Sequence, residues 1–347
     1  MKHFFYSVLC CLLIFSCKKD TGNNERRAQN TISTATWMQD LIVAYPNKNV
    51  ALKDIMMSGA HDAGLYELSS CTFGANACNT QTQRLSFEQQ LLQGIRIFDV
   101  RPTYANRKFF TEHATSCEGL GCKGALLETT YKDVRKFLDT HAELVILEIS
   151  HYCKTSPSDT ALLNLTSRIL GDRIYKEETP NTTPFTRRPL QDIIGSNTTG
   201  KVVLIYEGIA DNAENRAKGM FASTLLPREG HWTNSHYLAD MLRDQVKEYN
   251  NFSNESDKLF QFSWQITQNE LQAINCALNP NAPSIQKCAD SANAVINTTL
   301  SQLITDNEIR KGRIPNIIYL DYSASSVTRE CIDRKSTRLN SSHRPLS

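Results

Sequence analysis

The chain has 347 residues, enough for one large α/β domain or two ordinary domains. Its 38 basic and 36 acidic residues give a formal net charge of +2. This near balance argues against a nucleic-acid-binding protein, because such proteins usually carry a basic stripe.

The N-terminus has the pattern of a signal peptide. Lys2 and His3 precede the apolar run FFYSVLCCLLIF, which is shorter than the roughly twenty residues that a spanning helix needs. The sequence LIFSC resembles a bacterial lipoprotein signal, which implies lipidation of Cys17; an ordinary cleaved signal is the alternative. We expect residues 1–16 to be the signal peptide and residues 17–33 a flexible tether. The protein would then be exported, as a membrane-anchored cell-envelope lipoprotein or in secreted form.

The cysteines also fit an exported protein. Eight of the eleven lie beyond the signal region: Cys71, Cys78, Cys117, Cys122, Cys153, Cys276, Cys288 and Cys331. An even number in an exported chain predicts disulfides, although eight cysteines allow many connectivities. Candidate pairs join sequence neighbours, namely Cys71 with Cys78, Cys117 with Cys122, and Cys276 with Cys288. Structural zinc is disfavoured, because no C-x2-C spacing is present.

Seven apolar runs along the chain read as strands. They are Asp54–Gly59, Gly94–Arg101, Lys108–His113, Leu144–Ser150, Lys201–Gly208, Phe260–Thr267 and Asn316–Ser323. Most are almost continuously apolar, as expected for a parallel sheet that is covered on both faces. Helical patterns lie between them, at Thr129–His141, Ala161–Leu170 and Val295–Thr305.

This alternation of strands and helices predicts an α/β fold. Seven clear strands and one ambiguous strand favour a TIM-like (β/α)8 barrel, regular or irregular, over residues 34–332; a doubly wound sheet is the structural rival. The final segment, residues 333–347, abandons the apolar periodicity where a closing helix is expected. We interpret it as a non-native tail, and we expect no site residue in it.

The polar residues that follow the strands define the candidate site, because chemistry in a parallel barrel lies at the carboxyl ends of the strands. These residues are His61, Asp62, Asp99, Arg101, Glu112, His113, Glu148, His151, Glu207 and Asp321, with Trp264 and Gln265 in the sixth run. A general base, a general acid and a fixed cation are what phosphodiester chemistry requires. The strand ends supply all three.

Four segments in order then resemble one known family. SGAHDAG, FEQQLLQGIRIFDVRP, FFTEHA and ETTYKDVRKFLDTHAELVILEIS look like the X-domain of phosphatidylinositol-specific phospholipase C, especially its bacterial, calcium-independent members. The match runs from Asp54 to Ser150, with a weaker echo at NIIYLDYS. The resemblance implies cleavage of phosphatidylinositol to diacylglycerol and a cyclic inositol phosphate, with no metal and no cofactor.

The resemblance also implies a role for each matched residue. His61 would be the general base that takes the proton of the inositol 2-hydroxyl, with Asp321 orienting it. His113 would be the general acid that protonates the departing diacylglycerol oxygen, with Asp62 as its partner. Arg101 would neutralise the phosphate where calcium-dependent relatives place a metal.

The substrate-binding residues are less well defined by the sequence. Glu148, Glu207 and Trp264 are our candidates, although the two carboxylates could instead pair with a neighbouring arginine. Family members place basic groups after the fourth and fifth strands, where this chain has Ser150, His151 and Glu207. The sequence GHWTNSHY, which includes Trp232, could line a lipid-facing loop or simply form a turn and a helix start.

Two other functions fit parts of the pattern. A glycerophosphodiesterase-like barrel would need a metal held by a Glu-x-Asp pair, but Ile97, Phe98 and Asp99 occupy those positions, and Arg101 would repel the ion. A non-catalytic surface lipoprotein could bind a lipid head group or glycan, but it would need no matched acid and base. We therefore expect an enzyme that acts as a monomer on a phospholipid, held near the membrane surface by its anchor.

Overall fold

The computed structural model describes residues 32–333, except residues 118, 153–157, 180, 254–255, 280–281, 307–314 and 324–325. The predicted signal peptide, the lipidation site Cys17 and nearly all of the predicted tether and tail lie outside these residues and stay predictions. Within the described part of the chain, no helix combines the length and the apolar character needed to cross a bilayer.

Twelve strands are assigned in the described residues. In chain order they are β1 (Met57–Ala60), β2 (Ser70–Cys71), β3 (Ile97–Val100), β4 (Pro102–Ala105), β5 (Lys108–Ala114), β6 (Gly121–Leu126), β7 (Leu144–Ile149), β8 (Lys201–Tyr206), β9 (Met220–Ala222), β10 (Arg228–Glu229), β11 (Leu259–Trp264) and β12 (Ile317–Leu320). Eight of them pair in parallel in the order β10-β11-β12-β1-β3-β7-β8-β9. The sheet curls into a half-barrel, which confirms the predicted TIM-like barrel in an irregular form.

Helices cover this sheet. They are α1 (Trp37–Ala44), α2 (Ala77–Thr80), α3 (Phe87–Leu92), α4 (Leu127–Leu138), α5 (Ser158–Leu170), α6 (Leu190–Ile194), α7 (Ala213–Ala217), α8 (Leu238–Asn251), α9 (Glu270–Leu278), α10 (Ile285–Asn293) and α11 (Ile296–Thr305). A further helix spans residues 326–333. The three helices predicted from sequence correspond to α4, α5 and α11.

Alternation along the strands divides the core into layers. Inward-facing residues such as Ile97 and Ile146 pack with α1 inside the barrel. Outward-facing neighbours such as Phe98 and Leu147 pack against α3, α4 and α5. Phe260 and Phe262 of β11 pack outward in the same way, against α8 and α11. The inward positions near the carboxyl ends are therefore the ones that can carry polar side chains into the barrel mouth.

One predicted barrel strand is misplaced. Residues Lys108–His113 form most of β5, which belongs to a separate antiparallel sheet of order β2-β6-β5-β4. Strands β4 and β5 are joined by Asn106 and Arg107 alone, both with positive φ (50° and 63°). A two-residue turn of this kind joins antiparallel strands, whereas parallel strands need a long crossover. The two remaining barrel positions are filled by strands that the sequence patterns missed, the short β9 and β10.

The cysteine pairs also differ from the candidates. The structure joins Cys71 to Cys122 and Cys78 to Cys276, so the three neighbouring pairs are wrong. Cys71 and Cys122 lie opposite each other on β2 and β6, and Cys78 of α2 meets Cys276 of α9 across 198 residues of sequence. Cys288 is not disulfide-bonded. Spatial pairing across the sheet, and not spacing along the chain, decides the connectivity.

A buried ion pair closes the amino-terminal end of the barrel. The Arg96 guanidinium contacts Glu143 at 2.8 Å, and both side chains are fully buried. The same guanidinium donates to the carbonyl oxygens of Thr34, Ala35 and Leu91. This arginine thus ties the start of the described chain to the barrel.

Replacing Arg96 by alanine should destabilise the protein by about 3–5 kcal/mol, because it leaves the buried Glu143 charge uncompensated. Urea unfolding followed by circular dichroism measures the change. Lys136→Ala is the control: it breaks an exposed pair with Glu88 and should cost less than about 1 kcal/mol. An equal effect of the two substitutions would contradict the assigned role of Arg96.

Candidate active site

His61 lies at the carboxyl end of β1, next to Asp321 at the end of β12. Its Nδ1 is 2.8 Å from the Asp321 Oδ1, and Asp321 is almost fully buried. The inward residue below it, Gly59, carries no side chain, and a Cβ there would lie 2.5 Å from the Tyr319 ring. Glycine is therefore required for Tyr319 to pack beneath the imidazole.

Asp62 has an unusual backbone conformation, and its carboxylate lies inside the site. Its φ is +43°, in the left-handed region that non-glycine residues rarely adopt. Such strain persists where the surrounding structure enforces it and is common at functional sites. The fully buried Asp62 Oδ2 is 3.4 Å from His61 Nε2 and 3.6 Å from His113 Nδ1. Asp62 thus lies between the two histidines.

Arg101 connects these groups. Its Nε is 2.7 Å from Asp62 Oδ1, and its Nη2 is 2.9 Å from Asp99 Oδ2. Asp99 also accepts a 2.5 Å hydrogen bond from the Ser150 hydroxyl. Burial disfavours the Asp99 charge, but Arg101 and His61 outweigh this effect and lower the Asp99 pKa to about 2. Asp99 therefore stays ionised and fixes the guanidinium in the barrel mouth.

The electrostatic surroundings favour protonation of His61. Burial opposes a charged imidazole, but Asp62 and Asp321 outweigh burial and raise the His61 pKa to about 9. Arg101 Nη2 approaches His61 Nε2 at 2.9 Å, a contact that fits the neutral ring. In that form Nδ1 donates to Asp321, and the Nε2 lone pair accepts from Arg101. In the protonated ring, the Nε2 N–H would lie 3.4 Å from the Asp62 carboxylate.

His113 reaches the site from the antiparallel sheet. Its Nδ1 donates to the Thr80 carbonyl oxygen at 2.9 Å, closer than the Asp62 carboxylate that the sequence resemblance assigns as its partner. The Thr80 bond fixes the tautomer and turns Nε2 toward the cavity. The centroids of the His61 and His113 rings are 6.2 Å apart. Two imidazoles with defined tautomers thus face one space.

This space is a cavity of about 660 Å³. Both histidines, Arg101 and Asp321 line it, as do residues contributed by strands on every side of the half-barrel. Of the predicted substrate-binding residues, Glu148 and Glu207 line it as well. Glu148 pairs with Arg228 at 2.7 Å, and the Glu207 Oε2 accepts the His151 backbone N–H at 2.9 Å.

Trp264 does not reach the cavity, so its predicted contact with substrate is wrong. It is 1% exposed and packs in the outer core with Phe262. The period of two along β11 explains this, because Gln261, Ser263 and Gln265 face the cavity while Trp264 faces the helices. The half-exposed Trp232 lines the cavity instead.

Arg228 lies at the site, but it was not among the residues predicted from the ends of the strands. It lies on the two-residue strand β10, which is too short to give a hydrophobic pattern, and its side chain lines the cavity beside Glu148. Burial opposes its charge, but Glu148 outweighs burial and raises the Arg228 pKa. A basic side chain from β10 thus lines the cavity, although none follows the fourth and fifth predicted strands.

The site could also offer atoms to a metal. His61, Asp62 and Asp99 present ligand atoms within 4.8 Å of one another, the only such cluster among the described residues. The Arg101 guanidinium already contacts both carboxylates, so an added cation would face a fixed positive charge at short range. This donor set therefore fits a guanidinium better than a divalent ion.

Comparisons with known proteins identify the fold. No protein-family model matches the chain, and no curated protein matches it. Among solved structures, it is similar to phosphatidylinositol-specific phospholipase C from Listeria monocytogenes, with a TM-score of 0.61 and 18% identity over 87% of this chain and 99% of that chain. It is also similar to the phosphatidylinositol-specific phospholipase C of S. aureus, with a TM-score of 0.58 and 15% identity over 88% of this chain and 98% of that chain. At these identities the likeness establishes the TIM-like fold alone.

Replacing Asp321 by asparagine should lower the His61 pKa, because it removes one of the two charges that raise it. An NMR titration of the imidazole Cε1–H signal measures the change. Asp244→Asn, which alters the carboxylate beside the surface residue His231, should leave the His61 titration unchanged. An unaltered His61 pKa in Asp321→Asn would contradict the assigned pairing.

Proposed function

We propose that the protein is a metal-independent phosphodiesterase that cleaves phosphatidylinositol-type phospholipids to diacylglycerol and a cyclic inositol phosphate. One observation carries this proposal: two imidazoles with fixed tautomers face the same cavity, with a partly buried guanidinium between carboxylates beside them. A binding protein needs no such matched pair of proton-transfer groups. The likeness in fold to known phospholipases C supports the same assignment.

The first step would be attack by a hydroxyl of the substrate itself. In its neutral form, the form that the Arg101 contact fits, His61 takes the proton of the inositol 2-hydroxyl at Nε2 as that oxygen bonds to phosphorus and begins a five-membered cyclic phosphate. The nucleophile and the phosphorus belong to one molecule, so the enzyme need not position a water. Asp321 holds the ring through Nδ1 at 2.8 Å and stabilises the imidazolium that forms.

The second proton transfer would belong to His113. As the bond between phosphorus and the glycerol oxygen breaks, the protonated form of His113 gives its Nε2 proton to that oxygen while Nδ1 keeps its bond to the Thr80 carbonyl, and diacylglycerol leaves. Arg101 stabilises the charge that gathers on the non-bridging oxygens, for which a planar guanidinium is well shaped. Asp62 and Asp99 keep the guanidinium in place.

The head group would lie against a polar wall opposite the histidines. Arg228 and Glu148 form an ion pair there, close to Tyr319, and Glu207 stands at the rim. An arginine and a carboxylate side by side offer donors and acceptors to neighbouring hydroxyl groups of a polyol. This arrangement favours an inositol head group over choline, which carries a cation and no hydroxyl ring.

The metal-dependent alternative has weaker support. A glycerophosphodiesterase-type reaction would need a divalent ion among His61, Asp62 and Asp99, where the Arg101 guanidinium already neutralises both carboxylates. The second histidine would then have no evident task. The two-histidine reaction gives a role to both histidines, to Arg101 and to the carboxylates that contact them.

An exposed apolar surface beside the cavity suits a membrane-held substrate. Leu271, Ile274 and Leu278 lie on one face of α9 and are 78%, 60% and 83% exposed, and Phe73 is 98% exposed. The next residue, Gly74, lies close to α9, since a Cβ at this position would be 4.0 Å from the Ala277 Cβ. We call these four residues the apolar rim. Apolar groups at this density on a surface indicate an interaction site, and a bilayer would bury them while its phospholipids enter the cavity.

The roles of the two histidines can be separated by the leaving group. Replacing diacylglycerol by p-nitrophenol makes the departing oxygen a stable anion that needs no proton. His113→Ala should therefore lose at least about a hundredfold of its activity on phosphatidylinositol but retain most of its activity on the p-nitrophenyl ester of inositol phosphate. His61→Ala should lose activity on both. Equal losses on both substrates in His113→Ala would overturn the acid role.

The apolar rim can be tested apart from the chemistry. The double variant Leu271→Ser with Ile274→Ser should weaken binding to phosphatidylinositol vesicles by at least about tenfold, since each buried aliphatic side chain contributes about 1.5–3 kcal/mol. Turnover of the soluble nitrophenyl substrate should be unchanged. Val43→Ser, an exposed residue of α1, is the control. Unchanged vesicle binding in the double variant would exclude the rim as the membrane contact.

A further inference from the structure

The short segment Thr80–Gln83 contacts the backbone around both catalytic histidines. The Thr80 carbonyl accepts from His113 Nδ1 at 2.9 Å, and the Thr82 hydroxyl donates to the Asp62 carbonyl at 3.0 Å. On its other side, the Tyr322 N–H donates to the Thr82 carbonyl at 2.7 Å. The segment is held in turn by α2, which is bonded to α9 through the Cys78–Cys276 disulfide.

Gln83 makes the densest set of these contacts. Its side chain is fully buried, with 0% exposure. The Nε2 donates to the carbonyl oxygens of His61 at 2.9 Å and Leu320 at 3.2 Å. The Oε1 accepts from the backbone N–H and the hydroxyl of Ser323, both at 3.1 Å. All four hydrogen-bonding positions of the amide are therefore used.

The Gln83 amide lies at the point where the pairing between β1 and β12 ends. The parallel ladder between β1 and β12 ends at the pair Ala60 and Leu320, one residue before His61 and Asp321. Beyond that point the strands themselves contribute a single further hydrogen bond, from the His61 N–H to the Leu320 carbonyl. Gln83 bridges the same two backbones one step further along. The Gln83 side chain therefore extends the hydrogen bonding between these two strands beyond their last backbone pair.

We propose that Gln83 is a positioning residue for the reaction: its amide fixes the backbones of His61 and Asp321 so that the His61 Nδ1 stays 2.8 Å from the Asp321 carboxylate. Gln83 does not line the cavity, so it acts through the pair and not on the substrate. A test of this proposal by kcat also depends on the proposed function, because it needs turnover of a substrate. The ionisation of His61 reports the same positioning without any substrate.

The chain contains a matched residue at the other end of the same strands. Asn316 is 2% exposed, and its amide bonds the Lys53 and Ile55 carbonyls and the Phe260 N–H. It thus bridges the segments leading into β1, β11 and β12 at the amino-terminal end of the barrel. A purely structural role for a buried amide would be the same in Asn316 and Gln83.

The test compares Gln83→Met, which keeps the side-chain length, with Asn316→Ala. Both should lower the unfolding midpoint in urea. Only Gln83→Met should lower the His61 pKa in an NMR titration, because the Asp321 contact loosens, and only it should lower kcat by about tenfold to a hundredfold with KM nearly unchanged. An unchanged His61 pKa and kcat in Gln83→Met, or equal effects in Asn316→Ala, would overturn the proposal.

A milder variant keeps the proposal testable if Gln83→Met does not fold. Ser323→Ala removes only one of the two bonds to the Gln83 Oε1, and it should lower the His61 pKa in the same direction by a smaller amount. A His61 pKa identical to that of the wild type would then count against positioning by Gln83. If the wild-type protein cleaves no phosphatidylinositol but the pKa shifts appear, the proposed function fails while the positioning of the pair stands.

Discussion

The arrangement of the site depends on one guanidinium surrounded by carboxylates. Arg101 contacts Asp62 and Asp99 at less than 3 Å and lies beside His61 Nε2. Without this cation, two nearly buried carboxylates would repel each other, and the cost of burying an unpaired charge would fall on the folded state. With it, the negative charges stay ionised in the barrel mouth. In the proposed reaction the same cation stabilises the charge of the phosphate. Arg101 would therefore contribute both to the stability of the fold and to catalysis.

The residues of this site come from both the barrel and the antiparallel sheet. Parallel strands deliver His61, Asp99 and Asp321 to one rim, because all their carboxyl ends meet there. His113, the general acid of the proposed reaction, comes from outside the barrel, on β5, and needs separate support. That support is the Thr80 carbonyl, held close to the Cys71–Cys122 disulfide by a 3.0 Å contact between the Thr80 hydroxyl and Cys122 Sγ. Two disulfides near His113 thus strengthen the part of the site that the barrel does not hold.

The sequence predicted the barrel, and it predicted that several polar residues would meet at one end of it, because both follow local patterns. Continuous apolar runs identified the buried strands, and polar residues directly after them identified His61, Arg101 and Asp321. The prediction was wrong where the answer depends on long-range geometry. The orientation of β5 is decided by a two-residue turn without a glycine, and the cysteine pairs join positions up to 198 residues apart. Trp264 faces the core through the register of β11. Arg228 and Gln83 lie in segments with no strand pattern, so nothing local marked them.

The most direct test of the two-histidine mechanism is the reaction of the chain from Thr34 onward with phosphatidylinositol vesicles in the presence of EDTA, followed by phosphorus NMR. The two-histidine mechanism predicts a cyclic inositol phosphate signal that forms at the same rate with and without the chelator, because Arg101 supplies the positive charge. A reaction that stops in EDTA and returns with added calcium or magnesium, releasing an open-chain phosphate, would contradict the two-histidine mechanism.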